Sequence, residues 1–323
     1  MKKPFLSIDY TKPGKGVKKG STTLFTFPNF FLLLKRKIWE IIKVNFLWII
    51  VNFPILIGLF ALSGKFDFSY QTPADPAYLL MSGAEAFSGM NPALAALMST
   101  AGLQTARTGY GLVTKILLGV SALAVFTFGP ANTGMAYMMR GYTKEEYVDM
   151  PGDFFGAIKK NLRQSIILGF VDALILGLLF YDLFFFAFQS EDFFFSISFY
   201  ICLILAFIYL MARFYIYPLL VTFKLSVGKI FKNAFIFSMV GIKRNLVGLL
   251  GAGFVIVLNV FMLFNGYTFP IACLLPFLIT FALVSFISTY AAWPNIKKIM
   301  IDPYYSDTPR EDDGEEAVFT DRG

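Results

Sequence analysis

Three times in this chain a short basic segment turns into a long uncharged run, and each time through the same pattern. The copies are Ile42-Lys43-Val44-Asn45-Phe46, Ile158-Lys159-Lys160-Asn161-Leu162 and Ile242-Lys243-Arg244-Asn245-Leu246. The last two stay alike further on, ending in a shared Gly-Phe-Val at 169–171 and 253–255. Runs of about 20 uncharged residues match the hydrocarbon core of a bilayer. The pattern therefore marks where aqueous chain becomes membrane helix. Lys holds the headgroup level, and Asn caps or links helix ends; docking of a partner on the aqueous side is the other reading of the repeat.

Composition agrees with a membrane protein. Apolar residues make up 57% of the 323 positions and charged ones 15%, against roughly 25% charged in soluble domains; the mean hydropathy is +0.65. The absence of histidine removes Ser–His chemistry and the commonest metal ligand. Cys202 and Cys273 both lie in apolar runs and read as buried free thiols. No Gly-rich phosphate motif and no metal-ligand spacing is present, so neither a cofactor nor a metal is expected. The net charge of +7 reads as a record of topology, with no nucleic-acid partner implied.

In chain order, 1–34 is a basic tail running into an interfacial amphipathic segment at 25–42, with no removable signal peptide expected. Residues 35–300 form the membrane domain. Spans are expected at about 44–62, 116–139, 165–181, 193–212, 246–264 and 271–292, giving an all-α bundle of about six transmembrane helices with amphipathic helices on its inner face. The connection at 63–112 reads as one or two short outer helices or a re-entrant loop. The tail at 301–323 is acidic and expected to be disordered. With both ends inside, only Lys65, Arg107 and Lys115 of the 28 basic residues fall outside, so both termini are expected to be cytoplasmic.

Several residues invite a functional reading. Asp172 falls near the middle of its span, where a carboxylate costs about 2.5–3.5 kcal/mol on insertion scales and is a functional candidate by default. It serves either as a coupling group or as a packing contact with Asn45, Asn52 or a hydroxyl on a neighbouring helix. It cannot form a protease dyad with Asp182, since ten residues of helix separate them by about 15 Å. Gly129-Pro130-Ala131-Asn132-Thr133-Gly134 should kink or break the second span, as the discontinuous helices of transporters are broken. Asp172, Asn132, Thr133 and Asn52 are thus candidates for binding a substrate. Arg213 should snorkel to the inner interface. Asp153, expected to cap a helix starting at Pro151, forms one docking candidate with Phe154, Lys159 and Lys160. Lys229, Lys232 and Asn233, on the polar face of a helix whose apolar face carries Ile230, Ala234 and Phe237, form another.

Gly129-Pro130-Ala131 with Gly134 resembles the YesL-like family of bacterial membrane proteins. So do Asp153-Phe154-Phe155 with Lys160-Asn161, and Phe214-Tyr215-Ile216-Tyr217-Pro218-Leu219-Leu220 with Phe231-Lys232-Asn233-Ala234. Asn45-Phe46-Leu47-Trp48 and Pro54 also fit, and the likeness spans about 35–300; the 63–112 connection is longer than that family's usual one. The resemblance implies a bacterial cytoplasmic membrane protein accompanying carbohydrate-uptake ABC transporters. This chain lacks both a nucleotide-binding motif and the Glu-Ala-Ala-x-x-x-Gly loop of permeases. It is therefore expected to be a non-enzymatic accessory subunit whose partners are the bilayer and the permease and ATPase subunits. A stand-alone solute carrier built on Asp172 and 129–134, and a structural or regulatory scaffold, are the alternatives.

Overall fold

A computed structural model describes residues 25–73, 92–93, 103–189 and 193–305. Among the described residues five helical stretches are long and apolar enough to cross a bilayer, and a bent pair, counted as one span, gives a sixth. In each of the five, no more than 17% of the most apolar window is buried inside the protein. Side chains such as Phe180, Leu250 and Phe254 stand outward. Apolar surface on this scale needs lipid against it.

The bent pair is α1 (Phe27–Val51) and α2 (Phe53–Ala61), set at 65°. The basic 35–43 segment therefore belongs to the same helix as the first span and is no separate interfacial helix. The bend falls at Asn52, with Pro54 in the first turn of α2, where a missing N–H costs nothing. The ends of the 63–112 connection, read from sequence as short helices or a re-entrant loop, pair as a two-stranded antiparallel ribbon, β1 (Phe68–Pro73) and β2 (Leu103–Gly109), in the register Phe68↔Gly109 to Thr72↔Thr105, while 92–93 between them are helical. Much of the remainder of that connection, like the 1–24 and 306–323 tails, lies outside the described residues. The ribbon is tied down by Thr114, which donates to Asp67 at 2.7 Å.

Helices α3 (Leu112–Ser121) and α4 (Ala124–Thr143) together make the next span. The interruption lies at 122–123; Pro130 sits inside a continuous α4. The expected break at 129–134 does not occur, because these small residues are where α4 presses against α5 (Met150–Phe188). A Cβ on Gly129 would strike the Ser165 carbonyl oxygen and approach the Gly169 Cα to 2.9 Å. Thr133 donates back to the Gly129 carbonyl at 2.9 Å. Gly129→Leu should force the two helices apart, costing about 1–3 kcal/mol or more. Gly177→Ala, whose added Cβ meets nothing within 4 Å, should be near neutral. Thermal unfolding of both variants in detergent checks the contrast.

With 39 residues, α5 is about 58 Å long, nearly twice the hydrocarbon thickness. Its first turns, with Lys159 and Lys160 exposed, must project beyond the membrane. The helix begins at Met150, one residue before the expected Pro151, and Asp153 reaches back to accept from the Asp149 N–H at 2.9 Å. Helix α6 (Phe193–Thr222) returns beside α5, and α7 (Val227–Val240) folds under it. In α7 the residues Ile230, Ala234, Phe237 and Ser238 are buried, while Lys229 and Lys232 face outward, as the periodicity requires.

Helix α8 (Ile242–Leu263) is followed by α9 (Phe269–Leu275), a π turn at Pro276–Thr280 and α10 (Phe281–Ile296). The chain continues helically through a second π turn, Lys297–Ile301, into α11 (Asp302–Tyr305). The last span therefore does not stop at Trp293-Pro294; Trp293 is buried, with Lys144 over its ring at 5.6 Å. Of the two cysteines, Cys202 is buried and Cys273 is exposed on the outer surface of the bundle.

Candidate functional site

The three copies of the repeat do three different things. Asn45 is fully buried; its Nδ2 donates to the Pro276 and Phe277 carbonyls, both at 2.8 Å, and its Oδ1 accepts from the Ala282 N–H at 3.0 Å. A side chain inserted in the backbone ladder accounts for the π turn at that point. Asn245 takes the last carbonyls of α7, Phe237 at 3.1 Å and Ser238 at 3.0 Å, and accepts from the Tyr215 hydroxyl at 2.6 Å. Asn161 reaches only its own preceding turn, donating to Ala157 at 2.9 Å.

Among the described residues the one fully buried acid, Asp172, is held by α6. Asp172 has no exposed surface. Tyr209 donates to its Oδ1 at 2.7 Å and Tyr217 to its Oδ2 at 2.9 Å. Arg213 Nε stands 2.8 Å from Oδ1 and 3.1 Å from Oδ2. Residues 209, 213 and 217 are four apart and so lie on one helical face. Both carboxylate oxygens are thus occupied, and the charge is balanced. The desolvation cost of placing an acid there is offset by a cation and two donors. Arg213 does not snorkel outward as expected but turns to Asp172, with its guanidinium carbon 5.9 Å from the Phe128 ring centre. The expected Asn45 and Asn52 contacts to Asp172 are not made; both amides are engaged with other helices.

The other residues proposed for substrate binding do not hydrogen-bond to Asp172 itself. Asn132 accepts from the Trp48 indole at 2.9 Å, while its buried Nδ2 makes no hydrogen bond. Thr133 is consumed within α4. Asn52 accepts from Thr127 at 3.2 Å, and its Nδ2 is likewise unpaired. Asp172 sits in the α5–α6 clamp with Asn132 beside its Tyr217 hydroxyl, while Thr133 and Asn52 bond elsewhere. A signal for that clamp was present in the sequence. In a hairpin whose first helix ends at Phe188 and whose second begins at Phe193, Asp172 and Tyr209 each lie 16 residues from those ends (188 − 172 and 209 − 193) and so at the same depth, which brings the Tyr-x-x-x-Arg-x-x-x-Tyr face opposite the acid.

Arg140, from α4, closes the foot of α6. Its Nη1 donates to the Val221 carbonyl at 2.9 Å and lies 3.2 Å from Thr222 Oγ1. That supplies donors to a helix end whose last carbonyls have no partner of their own.

Of the residues expected to dock a partner, Phe154 is fully buried, packed beneath Gly134, so it belongs to the core and not to a docking surface. Lys159, Lys160, Lys229 and Lys232 are exposed, and Asp153 and Asn233 are half-buried. Gln164 donates to the Leu225 carbonyl at 3.0 Å. That bond joins the aqueous part of α5 to the turn before α7 and brings both lysine pairs to one end of the bundle.

Residues 41–183 match the family described as "Protein of unknown function, DUF624". The chain is a multi-pass membrane protein, and its 41–183 segment is similar to that family. No curated protein and no solved structure matches it. The matched segment carries Asn45, the Gly129–Gly169 crossing and Asp172, and it ends before α6. Tyr209, Arg213 and Tyr217 therefore lie outside the DUF624 match, and the clamp joins matched to unmatched chain.

Proposed function

We propose that this protein is a non-enzymatic accessory subunit of a carbohydrate-uptake ABC transporter, held in the bacterial cytoplasmic membrane with both termini cytoplasmic. The observation that carries the reading is the saturation of Asp172: its carboxylate is neutralised by Arg213 and capped by two tyrosines. A coupling acid has to exchange its partner during a cycle. This one is built into the α5–α6 contact, and the 129–134 segment offers no unwound backbone to a solute. What the protein offers instead is a basic surface at one end of the bundle, made by the projecting start of α5 and the outer face of α7. Exposed charge of one sign steers association with an oppositely charged partner. The YesL-like resemblance supplies the nature of the partner, the permease and ATPase of a sugar importer.

The test is co-purification from the native membrane in mild detergent, in cells taking up oligosaccharide. Tagged protein is expected to bring down permease and ATPase subunits. Reversing Lys159, Lys160, Lys229 and Lys232 to Glu is expected to reduce recovery severalfold at unchanged expression. Recovery of the tagged chain alone, under every sugar tried, would sink the proposal.

A further inference from the structure

An apolar groove of about 570 Å³ runs between the start of α1, one face of α8 and α10. Its walls include Phe27, Phe30, Phe254 and Ile287, with Gly251 at its floor. The α8 residues that line it, 244, 247, 248, 251, 254 and 255, follow one helical face. From 244 to 255 that face is about 16 Å long at 1.5 Å per residue, close to half the ~30 Å hydrocarbon core. The groove thus has the depth of one leaflet.

Among the described residues Arg244 is the only charged one lining it. It sits at the basic end of the span, next to exposed Lys243. The guanidinium donates to three neutral carbonyls: Ala291 at 3.1 Å through Nε, and Phe25 at 3.1 Å and Tyr290 at 3.3 Å through Nη2. The Phe25 and Tyr290 rings lie 5.6 and 5.8 Å from it. Among the described residues no carboxylate pairs with it. Carbonyls and rings hold the group in place without cancelling its charge.

We infer that this groove is a binding site for a single anionic phospholipid of the leaflet at the lysine-rich end, its acyl chain along α8 and its phosphate against Arg244. The length selects an acyl chain, and the uncompensated cation at the headgroup level selects the anion. Guanidinium is the side chain best suited to phosphate. Glycine at 251 leaves the floor open, since a Cβ there meets only Ile287 Cγ2 at 3.5 Å. A larger side chain would occupy the space of the acyl chain without disturbing the backbone.

The full chain is reconstituted in nanodiscs of equal phosphatidylglycerol and phosphatidylcholine, transferred to mild detergent, and its retained lipids counted by native mass spectrometry. One phosphatidylglycerol is expected to be retained in clear preference to phosphatidylcholine. Gly251→Leu should abolish the retained lipid while leaving the thermal midpoint within a few degrees of wild type. Arg244→Gln should keep a lipid but lose the preference, and Arg244→Lys should restore part of it. Retention unchanged by Gly251→Leu overturns the site, and preference unchanged by Arg244→Gln overturns the headgroup assignment. Lipid retained only after residues 1–24 are removed would show that the chain's own N-terminal segment fills the groove, which also overturns the proposal.

Discussion

Asp172→Ala is expected to destabilise the bundle by about 3–5 kcal/mol, the cost of breaking a buried ion pair from one side. The change leaves Arg213 without its counter-charge and the Tyr209 and Tyr217 hydroxyls without their acceptor. Both losses fall inside the α5–α6 contact, where water does not readily replace them. Removing the pair together should be far milder. Asp172→Leu combined with Arg213→Met exchanges two charges for apolar groups of similar reach, which is often neutral or stabilising. A double-mutant cycle by thermal or denaturant unfolding in micelles therefore predicts strong positive coupling. A single Asp172→Ala variant as stable as wild type would show that the clamp contributes nothing to the fold. The same residue tests the carrier alternative: solute uptake by the purified protein in proteoliposomes, lost in a folded Asp172→Asn variant, would reopen it.

Asn45→Leu should be the most damaging change among the three repeat copies, at about 2–4 kcal/mol. It strands the Pro276 and Phe277 carbonyls and the Ala282 N–H, each buried unpaired group costing about 1–3 kcal/mol less whatever local relaxation recovers. Asn245→Ala should come next, since it uncaps α7 and leaves the Tyr215 O–H without its acceptor, although the Tyr215 oxygen still accepts from Asn295 at 2.8 Å. Asn161→Ala gives up one bond to its own helix and should cost under about 1 kcal/mol. The ranking is what matters. Equal effects at the three positions, measured by unfolding in detergent, would mean that the asparagines act only as markers of the membrane interface and that the link from α1 to the last span is idle.

The sequence by itself determined the parts of this protein that depend on one dimension. Uncharged runs of bilayer length set the number of spans, and basic segments set where they begin. A period of about 3.6 residues placed Ile230, Ala234 and Phe237 on the inner face of α7. These follow from the local cost of exposing backbone and charge to lipid, which each segment pays alone. The ribbon at 68–73 and 103–109 escaped that reading, because its strands pair across thirty residues and carry little alternation of their own.

Tertiary structure alone decided what the polar residues inside the membrane do. Three asparagines in nearly identical words became a wedge in a distant helix, a cap on a neighbouring one and a local bond. Pro130 did not break its helix because Gly129 and Gly169 let α5 lie against it. Arg213 turned inward because an acid stood level with it on the adjacent helix. In lipid a polar group has no solvent to fall back on, so its role is set by whichever partner the packing brings within reach. That partner can be two hundred residues away, as Asn45 and Pro276 are, and no local pattern records it.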